Sequence, residues 1–347
     1  MASKRLATYI ERTIPSNQKP MKQSDRPFNN ATAKNPPLLR PQGVNHILLY
    51  PGSFNPPHQG HLDLLKHVFE NAGADLNMVA AIIVATSDKE LARKMENRDN
   101  AVVIPRDKRI KLWRGQGIPV DWAWVYDCSE HWNSFRDRLT KAVRKDRMEL
   151  KFIVLHGPDI ITADRGFNPV GWGCSDAITS DISRAVDFRY PSTLRQLAGC
   201  APWNKLNVDR VGIERKIRAK LKGYSESDIE EAITKAMENL DTIWVCRQIR
   251  EKPKGIVRFL QCDLQKQATD APSSTKIRAI VDSSLPEELV KNLRGIALHP
   301  ELLVKYLKEL PKPIKRVALR ELQERECNPD CPVDWKEYDE TIPERED

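Results

Sequence analysis

The chain alternates between short apolar runs and stretches that are charged or rich in Gly and Pro. His46–Tyr50 is a short apolar run and reads as a buried strand. A turn follows, Pro51-Gly52-Ser53-Phe54-Asn55-Pro56-Pro57, and then Leu62, Leu65 and Phe69 recur at helical spacing. Val79–Ala85 is continuously apolar, as expected of a central parallel strand covered on both faces. Strand, helix and strand at this spacing make a βαβ unit. Further along, Arg106–Trp113 reads as a helix, Val120–Tyr126 as a third strand and Trp132–Met148 as a basic amphipathic helix. Phe152–Leu155 reads as a fourth strand, running into His156-Gly157-Pro158-Asp159. Late runs at Thr242–Cys246 and Ile256–Leu260 resume the sheet. Helical patterns return after Pro272, at Pro286–Leu293 and at Pro300–Leu310.

Alternating strands and helices predict an α/β fold, a Rossmann-like doubly wound parallel sheet. The pattern also suggests boundaries. Residues 1–44 hold six prolines and eight Lys/Arg against two Asp/Glu, and read as a disordered basic arm. The main domain spans 45–310. The charged segment 86–107 reads as exposed. Within the domain, about 164–241 reads as an inserted lid-like region, with a strand pair near Ala177–Ile182 and Ala185–Phe188 and a charged helical stretch at Glu214–Leu240. Residues 311–347 read as a charged, extended tail.

Composition narrows the classes. A chain of 347 residues with 40% hydrophobic and 30% charged residues has the makeup of a soluble globular protein. No run approaches the length of a transmembrane helix, and the N-terminus lacks the apolar core of a secretory signal. The expected setting is therefore cytoplasmic and/or nuclear, without a membrane partner. Seven scattered cysteines without a secretory signal read as reduced thiols. Cys327 and Cys331 are spaced like half a zinc site, with no second pair nearby. The formal net charge of +8 suits phosphorylated small substrates. No basic stripe interleaved with aromatics points to nucleic acid. Homo-oligomerisation stays open.

Two loop-to-helix junctions carry the chemistry. In the first, Gly52 to His61, the Gly/Pro turn leads into His58-Gln59-Gly60-His61 at a helix start. A helix N-terminus offers unpaired N–H groups and a positive dipole end, and imidazoles add donors. In the second, Ser273-Ser274-Thr275-Lys276-Ile277-Arg278, hydroxyls and cations gather at another helix start. Together the two junctions could clamp a triphosphate from two sides. Alone, His58 and His61 would be a common structural pair, and Ser274-Thr275 a common helix cap.

The stretch G-S-F-N-P-P-H-Q-G-H-L at Gly52–Leu62 and S-S-T-K-I-R at Ser273–Arg278 resemble the H-x-G-H nucleotidyltransferase superfamily. Within it they resemble the nicotinamide/nicotinic acid mononucleotide adenylyltransferases. Gly157-Pro158-Asp159 is similar to that family's G-x-D loop, Trp244-Val245-Cys246-Arg247 to its late strand ending in Arg, and Leu298-His299-Pro300-Glu301 with Tyr306 to its closing helix. The resemblance implies that AMP passes from ATP to a phosphorylated small-molecule acceptor with Mg²⁺ carried on the ATP phosphates, not in a protein cage. It implies that His58, His61 and Arg278 are catalytic. Gly52, Ser53, Phe54, Gly60, Asp159, Arg247, Ser273, Ser274, Thr275 and Lys276 would contact ATP or its phosphates. A pyridine ring is held by stacking, so Gly157 and the aromatic residues Trp172, Trp122 and Trp124 are candidate acceptor contacts. Alternation in VDWAWVY puts Trp122 and Trp124 on one face, which is also the pattern of a core. Two alternatives stand beside this reading: a nucleotidyltransferase for another phosphorylated acceptor or for CTP, and a catalytically silent nucleotide-binding protein of the same fold.

Overall fold

The structure, a computed structural model, describes residues 3–15, 22, 25–29, 33, 35–96, 103–115, 117–128, 130–250, 254–263 and 271–310. The strands are β1 (Lys4–Arg5), β2 (Leu38–Leu39), β3 (Val44–Gly52), β4 (Met78–Ala85), β5 (Ala123–Val125), β6 (Glu149–Leu155), β7 (Asp176–Ser180), β8 (Asn204–Lys205), β9 (Ile243–Arg247) and β10 (Ile256–Leu260). The helices are α1 (Leu6–Thr13), α2 (Gln59–Asn71), α3 (Asp88–Met95), α4 (Arg106–Trp113), α5 (Trp132–Lys145), α6 (Arg210–Lys220), α7 (Glu226–Asp241), α8 (Ser274–Ser283), α9 (Leu289–Leu293) and α10 (Pro300–Glu309).

The central sheet has eight strands in the order β5-β4-β3-β6-β7-β10-β9-β8. From β5 to β10 all neighbours are parallel; β9 and β8 close that edge antiparallel. Period-2 alternation divides β3 between two layers. Ile47 and Leu49 join one buried cluster with α1 and α5, while Leu48 and Tyr50 join the other with α2, α4, α6 and α7. This is the expected doubly wound sheet. The chain moves from β3 to β4 and β5 on one side, then returns to β6 on the other. The carboxyl ends of β3 and β6 therefore flank the switch point, where open α/β sheets bind ligands.

Several expectations need correction. Residues 3–14 are not a disordered arm. Leu6, Ala7, Tyr9 and Ile10 of α1 are buried against α5, β1 pairs with β2, and the Lys4 ammonium meets the Asp146 carboxylate at 2.7 Å. The apolar face of α1 repeats at helical spacing, but the surrounding Pro and Lys content outweighed it. Within the charged 86–107 segment, Ser87 and Glu90 form a capping box that starts α3, whose Leu91, Ala92 and Met95 are buried. The 164–241 region is not set apart from the sheet. Its Asp176–Ser180 segment is β7, wedged between β6 and β10, whereas Ala185–Phe188 forms no strand. The expected 311–347 tail, with Cys327 and Cys331, lies outside the described residues.

Candidate functional site

A cleft of about 910 Å³ opens at the switch point. It is lined by the loop after β3, the start of α2, the loop after β6, the turn after β7 and the start of α8. The two loop-to-helix junctions, far apart in sequence, share this one cavity.

His58 is the N-cap of α2. Its Nδ1 accepts the backbone N–H of His61 at 3.3 Å, and the Nδ1 of His61 accepts the backbone N–H of His58 at 3.2 Å. The two histidines therefore make a reciprocal capping box, the role usually taken by Ser and Glu. Because each Nδ1 is an acceptor, the proton of each neutral ring sits on Nε2. The rings stack, with centroids 3.5 Å apart. Tyr50, Phe54 and Trp113 wall off His61, with the Phe54 centroid 5.0 Å away. Burial is the main cause that lowers the His58 pKa to about 3, with the Arg184 charge adding to it. His61 is also held well below the usual imidazole range, first by burial, then by His58, Arg184 and Lys94. Both are neutral Nε2–H donors at physiological pH, not cations.

Glycine is needed at two points of this loop. A Cβ on Gly52 would lie 2.7 Å from the Phe54 ring. A Cβ on Gly60 would press on the Pro272 carbonyl oxygen at 3.1 Å, where α2 meets the entry to α8. Phe54 itself sits at φ 47°, a strained position for a non-glycine residue.

The second motif locks directly onto the first. The Ser274 hydroxyl donates to the Pro56 carbonyl at 2.9 Å, and Arg278 Nη1 donates to the Asn55 carbonyl at 2.9 Å. Ser273 caps α8 by accepting the Lys276 N–H at 3.1 Å. Ser273, Ser274, Thr275 and Arg278 line the cleft; the Lys276 side chain does not. The expected closing element, α10 and its lead-in, seals the back of the loop. Gln59 N–H donates to Ile296 O at 2.8 Å and Leu298 N–H to Pro57 O at 3.4 Å.

Of the other candidates, Ser53, Gly157, Asp159 and Trp172 line the cleft, and Asp159 is exposed there. Three do not. Arg247 ends β9, which runs antiparallel, so it pairs with Ile256 at the start of β10, at the opposite end of the sheet from the cleft. Trp124 is buried in the core with its indole N–H donating to Asp25 O at 3.1 Å. Trp122 stacks on Phe69 with centroids 3.7 Å apart. The two tryptophans lie in different layers because a turn at Pro119 delays the strand until Ala123.

Other cleft residues carried no sequence signal strong enough to single them out: Lys94, His156, Arg165 and Arg184. The Lys94 ammonium lies 3.4 Å from the Ser53 hydroxyl. His156 is buried, and desolvation lowers its pKa to about 4. Recognising the capping box of α3 would have placed Lys94 on a helix facing the loop; nothing local distinguishes Arg184 from a surface arginine. Behind the wall lies Arg109, wholly buried, which donates to Ser53 O, Thr86 O and Ile104 O at 2.7, 2.8 and 2.8 Å and to the Asp88 carboxylate at 2.7 Å. Among the described residues no three His, Cys, Asp or Glu side chains converge as a metal cage, and no helix is long and apolar enough to cross a membrane.

Residues 49–169 match the cytidylyltransferase-like family model. The matched stretch runs from β3 to just past β6, the strands that flank the switch-point cleft, and it is there that the chain is similar to cytidylyltransferase-like proteins. The matched stretch contains the histidine motif and ends well before Ser273–Arg278, which stands on geometry. No curated protein matches the chain.

Proposed function

We propose that this protein transfers AMP from ATP to nicotinamide mononucleotide or nicotinic acid mononucleotide, giving NAD or its deamido form and pyrophosphate. The observation that carries the reading is the closed two-motif clamp. His58, His61, Ser274, Thr275 and Arg278 line one cleft, and Ser274 and Arg278 are bonded to the very loop that presents the histidines.

In this reading an oxygen of the acceptor phosphate forms a bond to the α-phosphorus of ATP. The bond from that phosphorus to the β-phosphate oxygen breaks, and its electron pair leaves on pyrophosphate. The acceptor attacks as an anion, so no side chain has to remove a proton. The protein contributes position and charge. The neutral His58 and His61 donate Nε2–H bonds to phosphate oxygens, preorganised by their mutual cap. The N-terminus of α8 adds backbone donors, and Arg278 adds positive charge. Asp159, an exposed carboxylate on the cleft wall, fits the oxygen-ligand preference of Mg²⁺ and is the group of this chain placed to meet it or a water on it. When bound with the nucleotide, Mg²⁺ supplies charge neutralisation on the phosphates. Trp172 and Gly157 both line the cleft, and the indole is the group assigned here to stack on a pyridine ring.

The test is pyrophosphate release from ATP, and from CTP in parallel, with Mg²⁺ and a panel of phosphorylated acceptors. Turnover with either pyridine mononucleotide is expected. Turnover only with another acceptor or with CTP would replace the acceptor or the nucleotide in this reading, and ATP binding with no turnover on any acceptor would favour a silent nucleotide-binding protein.

A further inference from the structure

The cleft contains a cation that neither phosphate motif supplies. Arg184 lies on its wall, and its charge bears on both His58 and His61. Among the described residues its guanidinium has no hydrogen-bond or carboxylate partner, and the side chain is exposed into the cavity. Arg278, by contrast, already spends donors on the Asn55 carbonyl and on the Thr275 hydroxyl, the latter at 3.0 Å.

The base of Arg184 is rigid. It follows a turn at the carboxyl end of β7 whose Ser180 and Asp181 are wholly buried. The Ser180 hydroxyl donates to Leu260 O at 2.8 Å and accepts the Ile182 N–H at 3.3 Å. The Asp181 carboxylate accepts the Cys262 N–H at 2.7 Å and pairs with Arg189, which in turn donates to Cys262 O at 2.8 Å. Two charges taken out of water to brace one turn are costly unless bonded; here the Asp181 carboxylate and the Arg189 Nη1 are both held, while the Arg189 Nε has no hydrogen-bond partner. The turn is thereby riveted to the end of β10 and carries Arg184 over the histidines.

Charge balance gives the cation its purpose. A nucleoside triphosphate brings several negative charges, and the two neutral histidines answer with hydrogen bonds but no net charge. A guanidinium fork can bind two phosphate oxygens at once. Resting on the nucleotidyl-transfer reading above, we propose that Arg184 is a catalytic residue that grips the leaving pyrophosphate from the cleft wall after β7. As the bond from the α-phosphorus to the bridging oxygen breaks, negative charge grows on the pyrophosphate, and Arg184 meets it.

The experiment compares wild type, Arg184→Ala and Arg184→Lys in two assays. One is turnover with ATP, Mg²⁺ and the best acceptor; the other is binding of Mg²⁺-pyrophosphate by calorimetry. Because the side chain is exposed and unbonded, the urea midpoint should not move. Expected for Arg184→Ala is a fall in kcat on the order of 100-fold or more, with the acceptor KM little changed and pyrophosphate affinity down at least about tenfold. Arg184→Lys should recover part of both, since it restores the charge without the fork. If wild type turns over no acceptor, the proposed function fails, and the pyrophosphate comparison still decides the role of Arg184. Loss of less than about tenfold in pyrophosphate affinity for Arg184→Ala, or no pyrophosphate binding by wild type, overturns the assignment.

Discussion

Arg109 is the residue whose replacement tests the site's architecture most directly. It has no exposed surface, and its guanidinium spans three carbonyls from three loops: Ser53 after β3, Thr86 after β4 and Ile104 before α4. A further bond pairs it with Asp88, whose side chain is only 20% exposed. Arg109→Met would leave that carboxylate and three carbonyls without their donor. Breaking a buried pair by removing one partner costs about 3–5 kcal/mol, a large share of the ~5–15 kcal/mol that holds a domain together. Arg109→Lys is the more informative change. One ammonium keeps the charge, but it cannot reach all the groups that three guanidinium nitrogens reach. At least one buried carbonyl then loses its partner, at about 1–3 kcal/mol. Urea unfolding followed by tryptophan fluorescence reads this, because Trp113 sits on the same helix. A lower midpoint at unchanged slope is expected. Loss of the Ser53 tie should also loosen the loop after β3 and, in the proposed function, raise KM for ATP. An Arg109→Lys protein with wild-type midpoint and wild-type KM would refute the reasoning.

Three further outcomes are expected. His61→Ala should lower turnover at least about 100-fold, the cost of one preorganised donor, while circular dichroism shows the fold intact; near-normal rates would remove the role given to it. Stability should fall with acid: the His58 pKa is lowered to about 3 by burial and Arg184, whereas an unfolded histidine titrates near ~6.5. Its contribution is thus complete above the unfolded value and is lost as pH drops toward the folded one, amounting to about 2 kcal/mol by pH ~5. His61 and His156 shift in the same direction and steepen the slope. Urea titrations at neutral and acidic pH with equal unfolding free energies would contradict this, and His58→Gln should flatten part of the slope. Trp172→Ala should raise KM for the acceptor while leaving KM for ATP within about threefold, if stacking holds the pyridine ring; equal effects on both substrates would count against an acceptor contact.

The parts of the site that could be read in the sequence are those built from near neighbours. His58 and His61 lie three positions apart, and that spacing alone produces the reciprocal cap seen between their Nδ1 atoms and backbone N–H groups. Ser273 likewise caps α8 within its own turn. The continuous apolar runs of β3, β4 and β6 were equally legible, since a strand covered on both faces needs no distant information to look apolar. What failed depended on direction and pairing. A run such as TIWVC has the same pattern whichever way it lies in the sheet. Only its antiparallel ladder with β10 shows that Arg247 ends on the far side. Alternation over Val120–Tyr126 places Trp122 and Trp124 on one face, but Val120, Asp121 and Trp122 belong to the turn that precedes Ala123. Arg109 and Arg184 were invisible for one reason seen from two sides. Arg109 acts through carbonyls of Ser53, Thr86 and Ile104 that are local to other elements, and Arg184 is aimed by Ser180 and Asp181 bonded to Leu260 and Cys262 some eighty positions away. In the proposed function, the caps specify where phosphate binds. The long-range arginine contacts specify how firmly the loop is held and where further charge enters. Variation in the β7 turn should therefore change catalysis without altering a single residue of either recognisable motif.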